Sequence, residues 1–302
     1  MPVVCAAGFL VYSSKMNSSN RVFITECPRD AMQGIQEFIP TSSKIDYLNT
    51  LLEVGFDRLD FGSFVSPKAI PQLRDTAEVL SGLNLNDTTK LLAIVANLRG
   101  AQDASAFKEI AFLGFPFSVS ETFQKRNTNS GIAESFETVQ RMNEVAISSG
   151  KELLIYISMA FGNPYNDPWN ADIVVGWIEQ LQLSGITKIA LADTVGMATA
   201  ENVAYLTGSI INEFPKLEIG AHLHCHPGNW KTKVEAAYNA GCRHFDSALK
   251  GFGGCPMAED ELVGNLATEN LVQYLSEKNV ETRIGQDQFN KAMLAASGIF
   301  HL

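Results

Sequence analysis

Along this chain, short runs of β-branched and apolar residues alternate with longer stretches in which apolar positions recur every third or fourth residue. The first pattern marks strands and the second marks helices with one buried stripe. Eight runs read as strands: residues 22–25, 58–61, 91–96, 109–115, 153–158, 188–192, 219–224 and 244–247. Amphipathic stretches lie between most of them, among them 42–54, 132–149, 168–184 and 231–240, several followed by a glycine that suits a helix stop. After the eighth strand, 259–274 and 287–297 also read as helices.

Strands alternating with helices, with no Pro/Gly/Ser-rich linker in mid-chain, predict one (β/α)8 (TIM) barrel with additional C-terminal helices; an open doubly wound sheet is the alternative. The polar residues favour the barrel. Asp30, Asp60, Asn97, Ser158, Asp193, His224, His226 and the segment 251–255 all fall at or just beyond a strand's C-terminal end. In a barrel those ends form one mouth. The expected organisation is a loose N-terminal extension over 1–20, with Met16 as an alternative start, and one barrel domain over 21–302.

Composition narrows the function. A formal charge of −10 argues against a protein devoted to nucleic-acid backbones, where affinity comes from Lys and Arg displacing counterions. Five scattered cysteines do not resemble a disulfide framework and favour a reducing, cytoplasmic setting. The apolar run 3–12 is too short to span a bilayer, so no membrane association is expected.

The candidate chemistry gathers at the mouth. His224 and His226 alternate and would share one face of a strand, and Asn265 in the next loop and Asp30 near the start could complete a metal site. His222 alternates with them too, but its depth suggests a barrel-interior residue. Two His with Asp and Asn form a hard donor set that suits Mg²⁺ or Mn²⁺, with zinc as an alternative. Arg29 beside Asp30 would put a fixed cation where negative charge builds on a carbonyl oxygen, which implies enolate chemistry. Cys255, between two glycines and a proline, is either a small buried residue or a thiol that moves a proton. Asp193 could accept a proton or cap a helix, and Asp60 and Glu269 could be catalytic acids or loop anchors. Lys125 and Asn127 lie in a polar cluster that is either a solvated loop or a landing place for the phosphates of coenzyme A.

These residues stand in motifs that resemble the 3-hydroxy-3-methylglutaryl-CoA lyase family. The matching pieces are Cys27-Pro28-Arg29-Asp30-Ala31-Met32-Gln33, Ser63-Phe64-Val65-Ser66-Pro67-Lys68, Asp193-Thr194-Val195-Gly196, His224-Cys225-His226, and the runs 251–256 and 264–269. The resemblance implies cleavage of 3-hydroxy-3-methylglutaryl-CoA to acetyl-CoA and acetoacetate. It implies Mg²⁺ or Mn²⁺ on Asp30, His224, His226 and Asn265, with His224 or Asp193 taking the hydroxyl proton. Arg29 would steady the enolate, Cys255 would help protonate it, and Gln33, Lys125 and Asn127 would meet the carrier. A homodimer is expected. The chain differs from the family in carrying Asp60 for a glutamate and Pro227-Gly228 after the second histidine. Rival readings are a related lyase or aldolase on another hydroxyacyl substrate, an acetyl-CoA-dependent acyltransferase, and a non-catalytic binding barrel.

Overall fold

The computed structural model describes residues 21–254 and 263–300. Eight parallel strands, β1 (Phe23–Glu26), β2 (Arg58–Ser63), β3 (Lys90–Ile94), β4 (Ile110–Ser118), β5 (Glu152–Ser158), β6 (Lys188–Asp193), β7 (Glu218–Leu223) and β8 (His244–Ser247), close into a barrel in sequence order. β1 seals it by pairing with both β2 and β8. The helices are α1 (Pro28–Gln33), α2 (Thr41–Leu52), α3 (Thr76–Ser81), α4 (Leu98–Ser105), α5 (Glu121–Thr128), α6 (Ile132–Ser148), α7 (Ala171–Leu183), α8 (Ala200–Glu213), α9 (Trp230–Asn239), α10 (Thr268–Glu277) and α11 (Gln286–Ile299).

Local chemistry explains several helix starts. The side chains of Asn97, Ser120, Asn170 and Thr199 each accept a hydrogen bond from a backbone N–H three residues on, satisfying a donor that the first turn leaves open. The expected helix over 259–274 is corrected where it is described. Residues 263–267 are not helical: Asn265 bridges His224 and Ala267 bridges Ala248, and the helix begins only at Thr268. That segment prolongs the sheet and carries Asn265 over the mouth.

Strand alternation divides the core in two. One set of strand residues, including Leu91, Ala93, Ile155 and Ile189, joins the surrounding helices in the main cluster. The opposite set on β3 to β6, Leu92, Ile94, Phe112, Leu154, Tyr156 and Ala190, forms a second cluster. Asp60 on β2, His222 on β7 and Asp246 on β8 are polar and little exposed. At the strands' N-terminal end, Arg58 and Lys188 pair with Glu218 at 2.5 and 2.9 Å. A barrel apolar on one side and ionisable on the other can hold an apolar group against one wall and charged chemistry against the other.

Candidate active site

A cavity of about 370 Å³ opens at the strands' C-terminal ends, and Arg29, Asp30, His222 and His224 form its polar wall. Pro28 at the first position of α1 sets a helical φ without needing an N–H donor, and it turns the chain so that Arg29 and Asp30 follow β1 directly. The Arg29 guanidinium grips Asp60 through Nε at 3.0 Å and Nη2 at 2.5 Å, while Nη1 donates to Asp30 at 2.9 Å and Gln33 at 2.8 Å. Gln33 also donates to Asp30 at 2.7 Å. Of the guanidinium's N–H groups, one on Nη2 is left without a partner among the described residues.

The shared burial sets the charges. Burial raises Asp60 to about 6, with the Arg29 fork opposing a larger rise. Burial also acts to raise Asp30, yet Arg29, His222, His224 and a hydrogen bond from Asn265 together hold it below the usual carboxylate range. Burial, helped by His222, lowers His224 to about 3, so its imidazole is neutral. His222 is raised: burial would lower it, and its hydrogen bond and attraction to Asp246 prevail.

Ligand atoms of Asp30, His222 and His224 all lie within 4.8 Å of one another. His224 Nδ1 is buried with no hydrogen-bond partner among the described residues, and Asn265 Nδ2 donates to Asp30 at 2.6 Å, bringing its amide to the same place. Gly253, at φ +104°, packs here because a Cβ would come within 2.4 Å of the Asn265 amide. Two neutral-capable imidazoles, a carboxylate and an amide oxygen fit a hard divalent cation. The buried orphan nitrogen is what such an ion would satisfy.

The structure brings some of the expected site residues together and leaves others apart. β7 ends at Leu223, and His226 is exposed on the turn that follows, its backbone N–H donating to Asn229, so the histidine gathered beside His224 is His222. The alternation itself puts His222 on this face, one step earlier along the strand, and only its depth sets it aside. Asp193 does not line the cavity: its Oδ2 accepts from Lys233 at 2.6 Å and its Oδ1 from the Ala198 N–H at 3.0 Å. Glu269 accepts from the Lys250 N–H at 3.0 Å and anchors the loop base. Asn127 and Gln33 line the cavity, whereas Lys125 turns to Glu121 at 3.0 Å. Cys255 lies outside the described residues. Sequence reasoning missed the Asp246 partner of His222, at 3.2 Å, and the buried Lys233. A lysine at an inward position of an otherwise apolar helix stripe was the available signal for the second.

A closed parallel barrel with ionisable groups converging at its C-terminal mouth defines a barrel enzyme. Residues 22–294 match the HMGL-like family, and the chain belongs to it. It is 32% identical over 272 residues to the 3-hydroxy-3-isohexenylglutaryl-CoA/hydroxy-methylglutaryl-CoA lyase of Pseudomonas aeruginosa, covering 89% of each chain. It is 33% identical over 263 residues to the cytoplasmic 3-hydroxy-3-methylglutaryl-CoA lyase of Rattus norvegicus, covering 85% of this chain and 74% of that one. The HMG-CoA lyase of Acinetobacter baumannii, solved with coenzyme A and 3-methylmalate, superposes with a TM-score of 0.87 at 32% identity, covering 94% of this chain and 92% of that one. No helix among the described residues is long and apolar enough to cross a membrane.

Proposed function

We propose that this enzyme cleaves 3-hydroxy-3-methylglutaryl-CoA to acetyl-CoA and acetoacetate with the help of Mg²⁺ or Mn²⁺. One observation carries the reading: the buried Asp30, His222 and His224 group beside the Arg29 fork, on the wall of a cavity at the barrel mouth. Asp30, His224 and the Asn265 amide oxygen would hold the cation, with His222 in the place closest to hand and His226 as the ligand that the family motif implies. The ion supplies Lewis acidity to substrate oxygens.

The remaining chemistry belongs to the chain. Cleavage starts when the C3 hydroxyl loses its proton; the C3 oxygen becomes the ketone of acetoacetate as the C2–C3 bond breaks. The electron pair passes to C2 and the thioester carbonyl, giving an enolate that is then protonated at C2. Of the two candidates for the hydroxyl proton, His224 lines the cavity, whereas both Asp193 oxygens are engaged by Lys233 and the Ala198 N–H. The unspent Arg29 N–H suits the enolate oxygen, where charge develops during the reaction. Cys255 is the proposed proton source for C2.

The proposal includes a homodimer in the cytoplasm, the setting named for the rat and mouse cytoplasmic relatives, although other mammalian relatives are named mitochondrial. Incubation with 3-hydroxy-3-methylglutaryl-CoA and Mg²⁺ or Mn²⁺ should give acetyl-CoA and acetoacetate in equal amounts. Asp30→Ala should lose both products, and Cys255→Ala should slow their release by about a hundredfold, the scale of one proton-transfer group. A wild-type protein that takes up Mn²⁺ yet makes neither product defeats the substrate assignment.

A further inference from the structure

The cavity is longer than its catalytic end. Besides Asp30 and His224, its wall includes Ile35, Phe38, Ile70, Pro71 and Arg74. Two residues on its wall carry permanent positive charge, Arg29 and Arg74. Arg29 is committed to Asp60, Asp30 and Gln33. Arg74 is exposed, and among the described residues its guanidinium meets the Phe38 ring at 3.5 Å and the Pro71 carbonyl at 3.3 Å, with no carboxylate paired to it.

The shelf beneath Arg74 is built rather than loose. Buried Gln72 receives the Ile39 N–H at 3.0 Å and donates to the Ile35 and Glu37 carbonyls at 3.1 and 2.8 Å, fixing the loop that carries Phe38. Buried Lys44 places its ammonium 4.1 Å from the centroid of the Phe38 ring and is neutralised by Asp75 at 2.7 Å. The guanidinium is thus held over an aromatic face while its edge stays open to solvent, and Arg is the side chain best shaped to grasp a phosphate.

Resting on the thioester reading above, we propose that Arg74, stacked on Phe38, receives the phosphates of the coenzyme A carrier, with the pantetheine arm lying along Ile35, Ile70 and Pro71. Lys125, paired with Glu121, is then not the phosphate anchor. A protein of net negative charge needs such a local cation to accept a polyanion, and Arg74 offers it on the wall of the cavity that holds the catalytic group.

Calorimetric titration of the full-length protein with coenzyme A and, separately, with pantetheine, which lacks the phosphates, tests this. Arg74→Met keeps an unbranched apolar stem and removes the guanidinium and its charge. It should weaken coenzyme A by about tenfold, flatten the salt dependence of binding, and leave pantetheine unchanged. Arg74→Lys should restore part of the loss, and Lys125→Met should match wild type. The proposal is overturned if Arg74→Met binds coenzyme A like wild type, if it loses pantetheine equally, or if Lys125→Met carries the loss. A wild-type protein that takes up Mn²⁺ but binds no coenzyme A overturns the thioester reading, and this site with it.

Discussion

Asp30 sits where four influences meet: a guanidinium, two imidazoles and an amide, on the buried wall of the cavity. Removing its carboxylate takes away the one anionic ligand of the group, so Asp30→Ala should abolish Mn²⁺ binding measured by electron paramagnetic resonance. The histidines divide more finely. With Asp246 on its Nδ1, the His222 ring has a fixed orientation, the arrangement by which a carboxylate aligns a metal-binding imidazole. His222→Ala should therefore lower Mn²⁺ affinity by about 10- to 100-fold, and His226→Ala should change it less. The opposite ranking would return the ligand role to His226. The residue types of this site were legible in the sequence, and so was the alternation that groups two histidines on one face. The register was not: with the strand ending at Leu223, the face that holds His224 holds His222, and Pro227 takes the chain away.

At the scale of elements, α9 does more than cover the barrel. Its Lys233 is 1% exposed and reaches Asp193 at 2.6 Å, the Gly196 carbonyl at 2.9 Å and the His224 carbonyl at 3.0 Å. One ammonium thus spends its three donors tying the ends of β6 and β7 together. Burial raises the carboxyl of Asp193 and the lysine opposes that shift. Lys233→Met should destabilise the fold by about 3–5 kcal/mol, because it strands a buried carboxylate, and Lys233→Met with Asp193→Asn should recover much of that. Urea unfolding of the two single variants and the double variant measures the coupling; strictly additive losses would contradict it. This tie was invisible in the sequence because its two ends are 40 residues apart. All eight strands, by contrast, could be placed from short apolar runs, and their ends moved by only a few residues. The error over 263–267 has a clear cause: the expected helix begins too early, across Gly264 and Asn265, where pairing with His224 and Ala248 holds the segment extended.

For the molecule as a whole, closing the barrel brings the first strand against the last helices, and Glu26 is buried at that seam. Its carboxyl accepts from the Leu249 N–H at 2.8 Å and shares a 2.5 Å hydrogen bond with the Thr268 hydroxyl, which also meets Ser247. Burial pushes Glu26 up to about 8, against these hydrogen bonds, and the Glu269 carboxylate adds to the rise; buried Tyr47 also faces it. Such a group keeps its proton in the folded barrel to about pH 8, while the unfolded chain releases it near 4.5. Between these values the folded state binds the extra proton. Its contribution is therefore complete below about pH 4.5 and is lost as pH rises through about 8. Glu26→Gln keeps an acceptor for Leu249 and a donor for Thr268 but has no proton to lose. The stability of wild type relative to Glu26→Gln should then fall by up to about 1.4 kcal/mol per pH unit across this window and level off above it. Urea unfolding of both proteins at pH 5.5, 6.5, 7.5 and 8.5 gives the difference directly. Parallel curves would mean that Glu26 is already ionised in the fold, with Thr268 and Leu249 enough to hold a bare carboxylate at the seam that closes the barrel.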